Sequence, residues 1–114
     1  MLRTVRLELA RCRDFPEGSP THGYELRIPL DARGKLDVDE MPAHRHETTF
    51  RRFWGGEDET GRVHHDHRGW KLAFSGGPEE IIFKGDVHRF LPGDYVSIAE
   101  RDGETRTFRV ITVL

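Results

Sequence analysis

Three of the seven histidines fall within four positions, in the stretch GRVHHDHRGW from Gly61 to Trp70. Imidazole binds transition metals and carries protons near neutral pH, so this spacing raises two kinds of chemistry. On an extended chain alternate side chains share a side, which groups His65 with His67 and His64 with Asp66. Two imidazoles at i and i+2 can share zinc or another divalent transition metal, but the tetrahedron needs further ligands. His88 is the expected third, giving a candidate metal set of His65, His67 and His88. His44 and His46 could join only from a strand, since on a helix they diverge by about 200°. Arg62 and Arg68 flank the cluster and oppose a bound cation. No helical His-Glu-x-x-His pattern supplies a base. The preferred reading is a solvated loop with no cofactor; the metal set is the alternative.

A second stretch, FRRFW from Phe50 to Trp54, interleaves arginines with aromatics. Such a strand can stack bases and pair phosphates, the chemistry of single-stranded nucleic-acid binding. Glu47, Glu57, Asp58 and Glu59 surround it and cancel its charge. Phe50 and Trp54 share a face and suit a core. Exposed aromatics and arginines are also the usual anchors of protein interfaces, so Arg51, Arg52, Trp54 and Trp70 are the expected binding residues. Cys12 stands between Arg11 and Arg13, but no Cys-His signature accompanies it, and a packed or semi-buried thiol is expected. No phosphate loop, dinucleotide fingerprint or nucleophile elbow is present.

These side chains must be positioned by strands, because most apolar residues recur with period two. VRLEL alternates Val5, Leu7 and Leu9 against Arg6 and Glu8. DFPEGSPTHG (14–23) reads as a loop. YELRIPL then sets Tyr24, Leu26, Ile28 and Leu30 on one face, and Pro29, unable to donate a ladder hydrogen bond, places that strand on an edge. DARGK (31–35) turns the chain. One short helix is expected over about 39–47, with Asp39 as its cap. TTFRRFW (48–54) suits a strand, GGEDETG (55–61) an acidic loop, and WKLAF (70–74) and IIF further strands. LPGD (91–94) launches a hairpin centred on Asp102-Gly103. Burial selects its register: a three-residue loop, Arg101-Asp102-Gly103, gathers Val96, Ile98, Phe108 and Val110 on one face.

PAHRHE followed by LPGDYV resembles the cupin family, whose barrel strands carry a His-x-His metal pair and a later Pro-Gly-Asp turn. That resemblance implies a cupin-like metalloenzyme. The sequence departs from it because Glu47 follows His46 directly and no histidine follows Asp94. Over the whole chain, FPEGSPTHGYEL, RRFWGG, HRFLPGDYVSI and DGETRTFRV resemble a small bacterial family of uncharacterised proteins. That likeness implies a free-standing domain and carries no catalytic residues.

The 114 residues fit one β-rich domain spanning 1–114. With 35% apolar and 33% charged residues, the core is thin but sufficient. A net charge of −2 argues against a protein that coats nucleic acid or anionic membrane. One cysteine and the absence of a long apolar run lead to the expectation of a soluble, cytoplasmic protein. The expected fold is mainly β, a small bent antiparallel sheet or β-barrel with one short helix. The expected function is a non-enzymatic binding or protein-interaction module with a protein or small-molecule partner. It would be a monomer or an edge-paired homodimer, and neither membrane nor nucleic acid is its expected partner. A His-cluster metal-binding protein and a single-stranded nucleic-acid binder are the alternatives.

Overall fold

The computed structural model describes residues 1–66, 69–77, 80–83 and 89–114. The fold is mainly β, as the alternation predicts. Among the described residues eight strands make one antiparallel sheet: β1 (Leu2–Leu9), β2 (Ser19–Pro29), β3 (Thr49–Trp54), β4 (Glu57–Asp66), β5 (Gly69–Phe74), β6 (Glu80–Phe83), β7 (Tyr95–Ala99) and β8 (Thr105–Val113). Their order is β6-β5-β4-β3-β2-β1-β8-β7. The first six strands form a meander, and β8 returns to pair with β1. The sheet curls until its edge strands, β6 and β7, approach each other. No helix among the described residues is long and apolar enough to cross a membrane.

Alternation sends one side of each strand inward. Val5, Leu7 and Leu9 of β1 pair with or neighbour Tyr24, Leu26 and Ile28 of β2, and all six are buried. Phe50, Val63, Trp70, Leu72, Phe74, Val96, Ile98, Phe108 and Val110 belong to the same interior. Aromatic rings interlock edge to face there, Tyr24 with Phe108 at 5.3 Å and Phe50 with Phe74 at 4.9 Å. Such pairs add about 0.5–1.5 kcal/mol to their area burial. These buried side chains pack into one continuous interior cluster.

The C-terminal hairpin has the predicted register. Val96 faces Phe108 and Ile98 faces Arg106. Glu100 donates its amide to the Glu104 carbonyl, and Arg101-Asp102-Gly103 form the loop. Gly103 has φ of 88°, which only glycine adopts freely.

Four local expectations need correction. Pro29 does not mark an edge, for β2 lies between β1 and β3. The Leu30 amide donates to Met1 on the β1 side, so the Pro29 nitrogen faces the β3 side. There β3 has not yet begun, its first residue, Thr49, pairing with Arg27. The missing donor therefore costs no ladder bond. The short helix is a 3₁₀ helix, Val38–His44, capped by Asp37, whose carboxylate accepts from the Asp39 amide at 3.2 Å. Residues 19–23 belong to β2, not to a loop; a bulge opposite Glu8 and Leu9 absorbs the irregular Ser19–Gly23 segment.

The acidic run is the fourth. Gly55 and Gly56 both have positive φ and make a two-residue turn. Glu57, Asp58 and Glu59 therefore start β4 directly, with Glu57 opposite Trp54. The carboxylates are tolerated on this strand because β3 supplies their counter-charges, Arg51 to Asp58 at 3.1 Å and Arg52 to Glu59 at 3.8 Å.

Candidate functional site

The four residues expected to form one binding patch are dispersed. Trp70 is wholly buried in the interior and is no surface anchor. It points inward with Leu72 and Phe74 because β5 alternates. Its Nε1 has no hydrogen-bond partner among the described residues. Arg51 and Arg52, being adjacent on β3, project from opposite faces of the sheet. Arg51 is outside, where it and Arg6 cover the Phe53 ring at 5.0 and 4.4 Å. Arg52 and the half-buried Trp54 point inward and meet at one mouth of the barrel, the guanidinium 4.0 Å from the indole centre.

At that mouth the Glu100 side chain, 3% exposed, is the centre of an ionic cluster. Its Oε2 accepts from the Tyr24 hydroxyl at 2.5 Å and from Arg52 Nε at 2.8 Å. Its Oε1 accepts from Arg106 Nη1 at 2.9 Å. Arg106 also grips Asp102 with both terminal nitrogens, at 3.1 and 2.9 Å. Arg101 reaches Glu59 at 2.5 Å and lies 3.8 Å above the Phe74 ring. Burial, then the Glu100 charge and hydrogen bond, raise the Tyr24 pKa well above its usual value. Desolvation works against the charge on Arg52, but the Glu100 contacts prevail and raise its pKa. The hydrogen bonds to Asp102, then those to Glu100, raise that of Arg106 against desolvation. The Arg106 hydrogen bonds, with the Glu104 amide, hold the Asp102 carboxyl below its usual range. Among the described residues three arginines meet three carboxylates, and their contacts stitch β2, β3 and β4 to the last hairpin. Arg52, Glu100, Arg101 and Asp102 line a small open depression of about 260 Å³ above it.

A pair absent from the sequence reading lies beside this mouth. Ser19 Oγ is 2.7 Å from His22 Nδ1, and the His22 ring abuts Trp54 edge-on at 4.7 Å. The pair is local, three residues apart, and the Thr21 amide also donates to Ser19 Oγ at 3.3 Å. No carboxylate among the described residues orients the imidazole, so the arrangement lacks the third member that activates a serine.

The described histidines of the candidate metal sets do not gather. His64 and His65 are exposed residues of β4, not of a loop, and the His65 ring packs 4.7 Å from Trp70. His67 and His88 lie outside the described residues. Among the described residues no group of three His, Cys, Asp or Glu side chains can hold a metal. His44 closes the 3₁₀ helix and contacts Glu47 at 3.2 Å, while His46 Nδ1 faces Arg62 at 3.4 Å. These two imidazoles sit on helix and turn with separate partners, so the cupin-like strand pair is not formed. Cys12 is exposed, not packed, because β1 ends at Leu9.

The outer face carries a different arrangement. Thr4, Arg27, Thr49 and Arg62 stand opposite one another in a single row across β1, β2, β3 and β4. Their neighbours Leu26 and Phe50 point inward and are buried, which sends Arg27 and Thr49 out. The adjacent row, Arg6, Glu25, Arg51 and Thr60, is neutralised internally. Glu25 accepts from Arg51 at 3.4 Å and lies 3.8 Å from Arg6. Among the described residues Arg27 and Arg62 have no carboxylate partner. Both line an open groove of about 500 Å³ with Thr4, Thr49, Thr60 and Ser75. That groove holds three arginines against Glu25 alone, on a chain whose net charge is −2. Exposure of Arg27 follows from the alternation of ELRIPL; the meeting of Arg27 with Arg62, 35 positions on, is set by strand register.

Comparison with protein families, curated proteins and solved structures found no match to any of the three.

Proposed function

We propose that the chain is a non-catalytic binding module that recognises a small anionic ligand in the groove across β1 to β4. The observation that carries this reading is the contrast between two sets of arginines. Arg52, Arg101 and Arg106 are matched to carboxylates at the barrel mouth. Arg27 and Arg62 face solvent on one side of the sheet without a described carboxylate partner. An arginine held on a strand and lacking an internal anion offers its fork to an external one. A filled interior supports recognition on the outer surface. The approach of β6 to β7 supports a monomer, since each edge shields the other.

A titration of ¹⁵N-labelled protein with citrate, inorganic phosphate, glucuronate and glucose 6-phosphate at low salt tests this. At least one anion should move the amides of Thr4, Arg27, Thr49 and Arg62. No movement with any of the four, or movement confined to Trp54 and its neighbours, would reject the groove.

A further inference from the structure

We infer that the anion taken by this groove is the phosphate monoester of a small hydroxylated molecule, held by Arg27 and Arg62 from opposite sides with Thr49 beneath. This deepens the binding-module reading and rests on it. The two arginines flank Thr49 in register, one on β2 and one on β4. Two inter-strand spacings set their backbones about 10 Å apart. Side chains leaning inward from both sides can therefore meet at a central anion.

The number of acceptors selects the ligand. A carboxylate offers two coplanar oxygens, which a single guanidinium fork satisfies. A phosphate monoester offers three terminal oxygens and close to two negative charges at neutral pH. It can accept from two forks and one hydroxyl at once, matching Arg27, Arg62 and the exposed Thr49 in number and charge. Thr4, Thr60 and Ser75 extend the lining with hydroxyl groups suited to the hydroxyls of a polyol. Nucleic acid fits less well. Single strands need aromatic faces for stacking, and the aromatic ring that β3 places on this face, Phe53, is 6% exposed beneath Arg6 and Arg51.

Calorimetric titration of the intact chain with glucose 6-phosphate, inorganic phosphate, glucuronate, citrate and a thymidine oligonucleotide tests the inference. Glucose 6-phosphate should bind more tightly than glucuronate or citrate. Arg27→Gln and Arg62→Gln should each weaken it about tenfold or more, the loss expected for a hydrogen bond to a charged group. Thr49→Val should weaken it less, and all three variants, altered at exposed positions, should keep the parent melting temperature. Tighter binding of citrate or glucuronate, lost on Arg27→Gln, would overturn the phosphate inference and leave the groove reading standing. Tighter binding of the oligonucleotide, weakened by the same variants, would overturn it in favour of nucleic acid. Absence of binding by all five would remove both.

Discussion

The Tyr24 hydroxyl donates to Glu100 across 76 positions of sequence, at 2.5 Å and out of contact with solvent. That contact ties the second strand to the loop of the last hairpin. It also explains how a carboxylate survives at the rim of an apolar interior. Tyr24, Arg52 and Arg106 supply it with three donors, two of them charged. A buried charge satisfied on this scale is costly to unmask, since removing one partner strands the others.

Glu100→Ala should therefore destabilise the fold by about 3–5 kcal/mol, the range for breaking a buried ion pair. Glu100→Gln, which keeps an acceptor for Tyr24 or Arg52, should cost less. Urea unfolding of both variants decides it. Equal and small losses, at the level of exposed ion pairs, would show that the cluster does not stitch the barrel.

Tyr24 also predicts behaviour in alkali. Burial and Glu100 raise its pKa in the folded state. The unfolded chain thus gives up this proton first, near pH 10. The contribution is fully present below that pH and is lost as pH rises above it, by about 1.4 kcal/mol per pH unit. Tyr24→Phe should be less stable at neutral pH by about 1–3 kcal/mol, because Glu100 loses a donor. Its stability should then fall less steeply above pH 10 than the parent's. Parallel curves would contradict the assignment. Asp102 acts with the opposite sign: its depressed pKa gives stability above the unfolded value that is lost as pH falls through the folded one.

Gly61→Ala should be among the most damaging single-methyl changes in the chain. A Cβ at position 61 would lie 2.1 Å from the Ala73 carbonyl oxygen and 2.6 Å from the Phe50 ring. Neither backbone nor a packed aromatic ring yields cheaply, and overpacking of this kind costs about 1–3 kcal/mol or more. Gly76→Ala is the weaker comparison: its Cβ meets nothing within 4 Å, although its φ of 85° carries strain. Thermal melts in which Gly61→Ala equals the parent would contradict the close approach of β4 to β5.

Trp70 distinguishes an interior anchor from an interface anchor. Trp70→Ala should cost about 3–5 kcal/mol, as large cavities in cores do. Trp70→Phe should cost clearly less, since the indole Nε1 gives up no described hydrogen bond. Chemical denaturation measures both. A loss within about 0.5 kcal/mol for Trp70→Ala is the behaviour of an exposed side chain and would contradict its burial.

Much of this architecture is legible in the chain because its signals are local. Val96, Ile98, Phe108 and Val110 alternate, and Gly103 supplies the one left-handed residue the loop needs, so the hairpin register follows from burial alone. The acidic start of β4 is not legible in the same way. Glu57, Asp58 and Glu59 oppose strand formation by composition, and the arginines that neutralise them belong to the partner strand. Pro29 misleads for a related reason: its missing donor matters only where a neighbour is present, and the start of β3 at Thr49 is not written near Pro29. Trp54 and Trp70 both stand on inward-facing positions. Their difference lies in depth, Trp54 at the mouth and Trp70 in the middle of the packed interior. The groove is half legible: alternation exposes Arg27, but nothing local brings it beside Thr49 and Arg62.

The central claim is that Arg27 and Arg62 are open to an external anion whereas Arg52 and Arg106 are already matched inside the molecule. The Nε–Hε resonances of the arginine side chains report on each guanidinium separately. On addition of glucose 6-phosphate at low salt, those of Arg27 and Arg62 should shift and saturate while those of Arg52 and Arg106 stay in place. Shifts at Arg52 and Arg106 with none at Arg27 and Arg62 would contradict it.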